Sequence, residues 1–138
     1  MINKKLTQRQ KNGLGLFMLL IPAGIIIFPF GWLANSWPGF GFAFNGLFQS
    51  EAAHIIAHSL LFAMVGLTAL AVAPRIFGYW PLYLLFILSL GLLQEGLQYA
   101  TFIHIFQFNA LFDLAVDMGA AGVVFGAKKL FTPIPTRF

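Results

Sequence analysis

The chain has 138 residues, of which 59% are hydrophobic and only 9% charged, and its mean hydropathy is +0.85. A soluble domain carries about 25% charged residues, so this chain has too few to clothe itself in a hydrated surface and reads as a single-domain integral membrane protein over residues 1–138. The net charge is +4, and the absence of cysteine excludes disulfides, thiolate metal sites and cysteine nucleophiles.

In chain order, Lys4, Lys5, Arg9 and Lys11 come first, followed by an apolar stretch over about 14–34. Its length exceeds a signal-peptide h-region, and Trp32 spoils a small-x-small cleavage site ending at Ala34, so it is expected to be retained. Pro22 and Pro29 are expected to kink it. Next comes "GWLANSWPGFGFAFNGLFQSE", Gly31 to Glu51, rich in aromatics, with turn signals at Trp37-Pro38-Gly39 and Asn45-Gly46. Trp32, Trp37, Phe40, Phe42, Phe44 and Phe48 suit a headgroup boundary, so the segment is expected to be an outer interfacial loop. It would double as the lateral entrance for an amphiphile if the protein binds one.

Three further apolar stretches follow, over about 52–73, 81–103 and 108–127. A span needs roughly 20 apolar residues, and the short alternating segments of a β-barrel are absent from the sequence. The expected fold is all-α, with four transmembrane helices in a compact bundle. The eight basic residues fall before the first stretch, at Arg75 between the second and third, and at Lys128, Lys129 and Arg137 after the fourth. With four spans these places share one side, which the positive-inside rule makes cytoplasmic, together with both termini. The basic balance is thus a topology signal that expects membrane lipids as partners and no nucleic acid. "TPIPTRF" is expected to be a short extended tail.

The four acids are Glu51, Glu95, Asp113 and Asp117, and three of them fall within spans. An ionisable group at mid-bilayer costs about 2.5–3.5 kcal/mol on insertion scales and usually faces an interior or a wet cavity. At 1.5 Å per residue, His54 and His58 lie roughly 3 and 9 Å below the outer end of their span, Gln98 and Glu95 roughly 7 and 12 Å, and Asp113 and Asp117 roughly 7 and 13 Å. Spacings of three or four put each pair on one helix face. One pocket in the outer half is therefore expected, with His58, Glu95, Asp113 and Asp117 as candidate catalytic groups. His54, Gln98, Thr101 and Trp37 are candidate ligand contacts.

Structural readings stand beside these. The histidines can be packing residues bonded across helices, and Glu95 and Gln98 can be interhelical glue. Gly122 and Gly126 form a GxxxG that predicts close helix packing. Two histidines four apart can also bind zinc with a carboxylate as third ligand. Residues 55 to 57 are Ile-Ile-Ala, however, so HExxH is absent, and no metal or cofactor is expected. Ser59, Ser89 and Thr101 lack a GxSxG context.

"HIIAH" or "HSLLF", then "LLQEGLQY", then "FDLAVDMGAAGVVFG" resemble, in that order, the VanZ-like family of small bacterial membrane proteins, over roughly residues 50 to 126. The family pattern is a histidine, often with an aromatic four residues on, then E-x-x-Q, then an aspartate with Asn or Asp four residues later and a Gly-rich stretch. Either His58, with Phe62, or His54 fills the histidine place. The chain departs from the pattern in having no lysine before the histidine and no arginine in "TFIHIFQFN", where His104 is the only cationic candidate. Ala120 also stands where glycine is more usual.

The resemblance implies a multi-pass protein of the bacterial inner membrane. It also implies an envelope role of the kind the founding member has in resistance to the glycopeptide teicoplanin. Three functions follow from these readings. One is an accessory protein binding a lipid-linked or glycopeptide-type ligand. Another is an enzyme using His58 and Glu95 as acid and base on a lipid-linked substrate. The third is a small proton-coupled transporter with Glu95 as carrier. The inner halves, "LTALAVAP" and "PLYLLFILSL", are almost wholly apolar, which favours a one-sided site over a through path.

Overall fold

The computed structural model describes residues 7–48, 50–101 and 109–131, and every regular element among them is helical. The helix α1 (Gln8–Ile27) opens on a reciprocal cap: Gln10 N–H donates to Thr7 Oγ1 at 3.3 Å, and Thr7 N–H donates to Gln10 Oε1 at 2.8 Å. Then follow α2 (Phe30–Ser36), α3 (Pro38–Leu47), α4 (Glu51–Val72), α5 (Pro74–Phe77), α6 (Trp80–Thr101) and α7 (Asn109–Phe131). Three helices are long and apolar enough to cross a membrane, and a fourth is counted if α1 and α2 form one bent span.

Proline sets three of the breaks. A residue before proline is pushed out of the α region. Phe28, Trp37 and Ala73, at φ −72°, −129° and −130°, precede Pro29, Pro38 and Pro74, and each ends a helix. The stretch expected over 14–34, with kinks at its prolines, therefore stops at Ile27 and turns by 56° into α2 at the Pro29 position. Pro22, by contrast, sits inside α1 without ending it. The segment expected as an interfacial loop is two short helices. Its Trp37-Pro38 signal is a real boundary, whereas Asn45-Gly46 lies within α3, where local helical bonding overrides the turn preference. The tail 132–138, Lys4, Lys5 and His104 lie outside the described residues.

Side-chain pairings give the register. His54 meets Asp113 and His58 meets Asp117, both 59 residues apart, and Lys128 Nζ donates to the Leu70 carbonyl 58 residues away. A constant difference means that α4 and α7 run parallel. The helix α6 runs against them: Gly91 faces Asp117, the Tyr83 hydroxyl donates to Ala121 O at 2.8 Å, and Trp80 packs on Phe125. The helix α1 also opposes α4, since Gly15 abuts Val72 while Ile25–Ile27 share a cavity wall with Leu61.

Beneath the polar pairs lies an apolar core of Ile26, Phe62, Val65, Leu70, Tyr83, Ile87, Ala121 and Phe125. It works because two positions are glycine. A Cβ on Gly66 would collide with the Tyr83 hydroxyl, and one on Gly91 would stand 2.6 Å from Leu114 Cδ1. The GxxxG of Gly122 and Gly126 does not bring described helices close: a Cβ on Gly126 meets nothing, and one on Gly122 reaches only Trp80 at 3.9 Å. The packing glycines are instead those facing a large side chain across α4–α6–α7. The start of α1, Arg75 in α5, and Lys128 and Lys129 share one end of the molecule, opposite the polar pairs.

Candidate functional site

Three helices contribute polar groups at one level. On α4, His54 and His58 are one turn apart, with ring centroids 4.5 Å from each other. On α7, Asp113 and Asp117 repeat that spacing, and because the two helices run parallel the pairs meet as rungs. His54 Nε2 lies 3.3 Å from Asp113 Oδ2, with His54 39% exposed and Asp113 10%. His58 Nδ1 lies 2.9 Å from Asp117 Oδ1, with side-chain exposures of 5% and 0%. The inner rung is therefore sealed and the outer one reachable.

Gln94 of α6 closes the inner rung from the other side, its Nε2 lying 3.4 Å from His58 Nε2. The three groups are mutually consistent with a neutral imidazole, in which Nδ1–H donates to Asp117 and Nε2 accepts from the Gln94 amide. The His58 ring also lies within 13° of parallel to that of Phe62, one turn further along α4, with centroids 6.4 Å apart. Glu95 sits within electrostatic range of Asp113, His58 and Asp117. Among the described residues, Gln94 Oε1, Glu95 Oε1 and Asp117 Oδ2 are buried without a hydrogen-bond partner. Buried acceptors are normally satisfied, so three lone acceptors in one cluster mark a place short of donors.

A cavity of about 550 Å³ adjoins the cluster. His54, His58, Gln94 and Gln98 make its polar wall. The remainder is mainly apolar: Ile25–Phe28 of α1 and its C-cap, Phe30, Phe40, Phe44 and Phe48 from the α2–α3 segment, and Leu61 and Leu97. Phe40 and Phe44 stack at 5.6 Å, and Phe30 stacks on both, so the aromatic wall is continuous. The volume is within the roughly 300–1,000 Å³ of small-molecule sites.

The expected site residues thus gather in part. His54, His58, Glu95, Asp113 and Asp117 come together, with Gln98 on the adjoining wall. Trp37 does not line the cavity: it is 61% exposed and stacks on Phe40. The Thr101 side chain lies outside what the structure describes. Sequence reasoning missed Gln94. The signal was there, since Tyr83, Ile87, Gly91 and Gln94 recur at spacings of four, four and three as the buried stripe of α6. The aromatic wall was legible in the same way, as Phe40, Phe44 and Phe48 fall four apart.

No family model, curated protein or solved structure matches this chain.

Proposed function

We propose that this chain is a multi-pass protein of the bacterial inner membrane that binds an amphiphile, its polar head against the His/Gln wall and its apolar part in the aromatic arm. The observation that carries the reading is the two-sided lining of the cavity. The membrane setting draws support from an inverted distribution of side chains. Leu16, Phe17, Met18, Leu60, Leu67 and Leu85 are each more than half exposed, while His58, Gln94, Asp113 and Asp117 are buried. Exposed apolar surface on that scale needs a lipid or protein cover, and buried ionisable groups are what a membrane interior tolerates. The basic end would be cytoplasmic and the cavity end external.

The order of His58-x-x-x-Phe62, Glu95-x-x-Gln98 and Asp113/Asp117 is the ground for placing the chain beside VanZ-like proteins. On that ground the ligand is a lipid-linked or glycopeptide-type amphiphile of the teicoplanin kind. Each histidine has a ring partner four residues on, and the deeper burial of His58 beside Glu95 favours it over His54 as the histidine of that pattern. A through-transport role fits less well, because below the His58–Asp117 rung the core is apolar.

Titration of the purified protein with teicoplanin and with phospholipid, followed by tryptophan fluorescence, tests the proposal. Removing a polar contact by Gln98→Leu is expected to weaken binding up to about tenfold, as losing one net hydrogen bond does, and narrowing the apolar arm by Phe44→Trp is expected to weaken it as well. Absence of saturable binding to either amphiphile overturns it.

The sealed His58–Asp117 pair favours a second reading, a membrane-embedded enzyme. An aspartate that fixes an imidazole tautomer leaves Nε2 as a base, here facing the cavity wall. Turnover of a lipid-linked substrate that His58→Gln abolishes would select it.

A further inference from the structure

The sequence holds no HExxH, but His54 and His58 stand at that motif's four-residue spacing, and the fold sets Asp113 opposite them as a third candidate ligand. The geometry points to a divalent transition-metal site of the zinc class, with His54, His58 and Asp113 as ligands and Asp117 as the residue that orients His58. The ligand-capable atoms of the three residues lie within 4.8 Å of one another.

The individual distances fit zinc. Tetrahedral Zn²⁺ with nitrogen and oxygen ligands at about 2.0–2.1 Å separates neighbouring ligand atoms by about 3.3 Å. His54 Nε2 and Asp113 Oδ2 already stand 3.3 Å apart, so an ion can take the bridging place with little movement of that pair. The full set lies within 4.8 Å, so the third ligand must draw closer to complete the shell. His58 is prepared for it. A ligating histidine generally donates its other ring N–H to a carboxylate, which fixes the tautomer and raises basicity. Asp117 Oδ1, 2.9 Å from Nδ1, does this from a fully buried position and keeps Nε2 as the ring's lone-pair nitrogen. The amide of Gln94, now 3.4 Å from Nε2, would give way to the ion.

A second, independent observation points the same way. Gln94 Oε1 and Glu95 Oε1 are buried acceptors without partners in this cluster. Three protein ligands leave a fourth position open, and a metal-bound water there brings the donors those oxygens lack. His54, half-exposed in the cavity, makes the position accessible. The donor set of two imidazoles and one carboxylate suits Zn²⁺ better than Ca²⁺ or Mg²⁺, which favour all-oxygen shells.

The inference rests on side-chain geometry and not on what occupies the cavity, so its test uses the metal alone. Protein purified in detergent without an affinity tag is dialysed against ZnCl₂, and bound metal is counted per chain. One zinc per wild-type chain is expected. His54→Ala and Asp113→Asn should each weaken binding at least tenfold, and Asp117→Asn, acting through His58, by about 10–100-fold. His104→Ala should leave binding unchanged. X-ray absorption of the zinc-loaded wild type needs no variant to fold and should show two imidazoles in an all-N/O shell. No stoichiometric zinc, fewer than two imidazoles, or loss of binding on His104→Ala but not on His54→Ala overturns the site.

Discussion

The two ends of the seam between α4 and α7 share one geometry and carry opposite chemistry. Toward the cavity the facing positions are His54 with Asp113 and His58 with Asp117. Toward the basic end they are Phe62, Val65, Gly66 and Ala69 against Ala121 and Phe125, all buried. The polar half repeats every four residues and the apolar half recurs at spacings of three and four, so one face of each helix points at the other throughout. The apolar half needs only volume to match. The polar half needs each acid opposite a base, and the parallel register provides that. The contrast teaches that packing below fixes the alignment and that the groups above depend on it for their pairing.

The largest effect should come from breaking the sealed rung. Asp117→Leu leaves the His58 Nδ1–H buried without its acceptor, which costs about 1–3 kcal/mol and more where the lost partner was charged, so a loss of about 3–4 kcal/mol is expected. The double variant His58→Leu/Asp117→Leu should recover most of that loss, since a well-packed apolar pair of similar volume is often as stable. Unfolding in detergent by heat or denaturant measures both. Recovery would mean that the upper half has been converted into a copy of the lower half, and that the polar pair is retained for its chemistry. A double variant no better than the single would make the rung structural.

The next largest effect lies in the apolar half. Gly66→Ala drives a methyl into the Tyr83 hydroxyl, which donates to Ala121 O in a buried position. Overpacking costs about 1–3 kcal/mol, and an orphaned buried acceptor about 1–3 kcal/mol more, so a loss of about 3 kcal/mol is expected. Tyr83→Phe in the same background should restore part of it by giving the methyl room. That result would locate the clash at the hydroxyl and not in the α4 backbone.

A smaller effect is expected at the outer rung. His54 is 39% exposed, and partly solvated ion pairs are worth about 0–1 kcal/mol. His54→Ala should therefore change stability by less than about 1 kcal/mol, with a coupling to Asp113→Asn of similar size in a double-mutant cycle. If His54→Ala costs as much as Asp117→Leu, the two rungs are equally sealed, and the access argued for the cavity end fails.

How much of this was legible beforehand depends on what fixes each feature. The long helices could be read because hydropathy and length act locally: α4, α6 and α7 begin or end within about four residues of the apolar stretches. The convergence of His58, Glu95 and Asp117 could be read as well, since few alternatives exist for ionisable groups among apolar ones. The partner of each histidine could not. Whether His58 faces Asp113 or Asp117 depends on the vertical offset of α4 and α7, and one turn of slip, about 5.4 Å, exchanges the pairs. That offset is set by Gly66 and Gly91 accommodating Tyr83 and Leu114, a matter of shape between distant segments. The break at Phe28-Pro29 was signalled by its proline. Pro22 carried the same signal and yet lies within an uninterrupted α1, and nothing local separates those two outcomes.

The smallest expected effect concerns the glycines that the GxxxG pattern singles out. Gly126 has open space where a Cβ would go, and Gly122 has only an ordinary contact with Trp80. With no side chain to displace, Gly126→Ala should shift stability by no more than about 0.5 kcal/mol, and in the favourable direction, because alanine loses less backbone entropy in a helix than glycine does. Gly122→Ala should behave alike. The comparison with Gly66→Ala is the informative part: the same added methyl, on helices of the same set, should cost about 3 kcal/mol where a neighbour approaches and nothing where none does. A stability loss at Gly126 matching that at Gly66 would require a partner pressed against that face of α7 that the described residues do not supply.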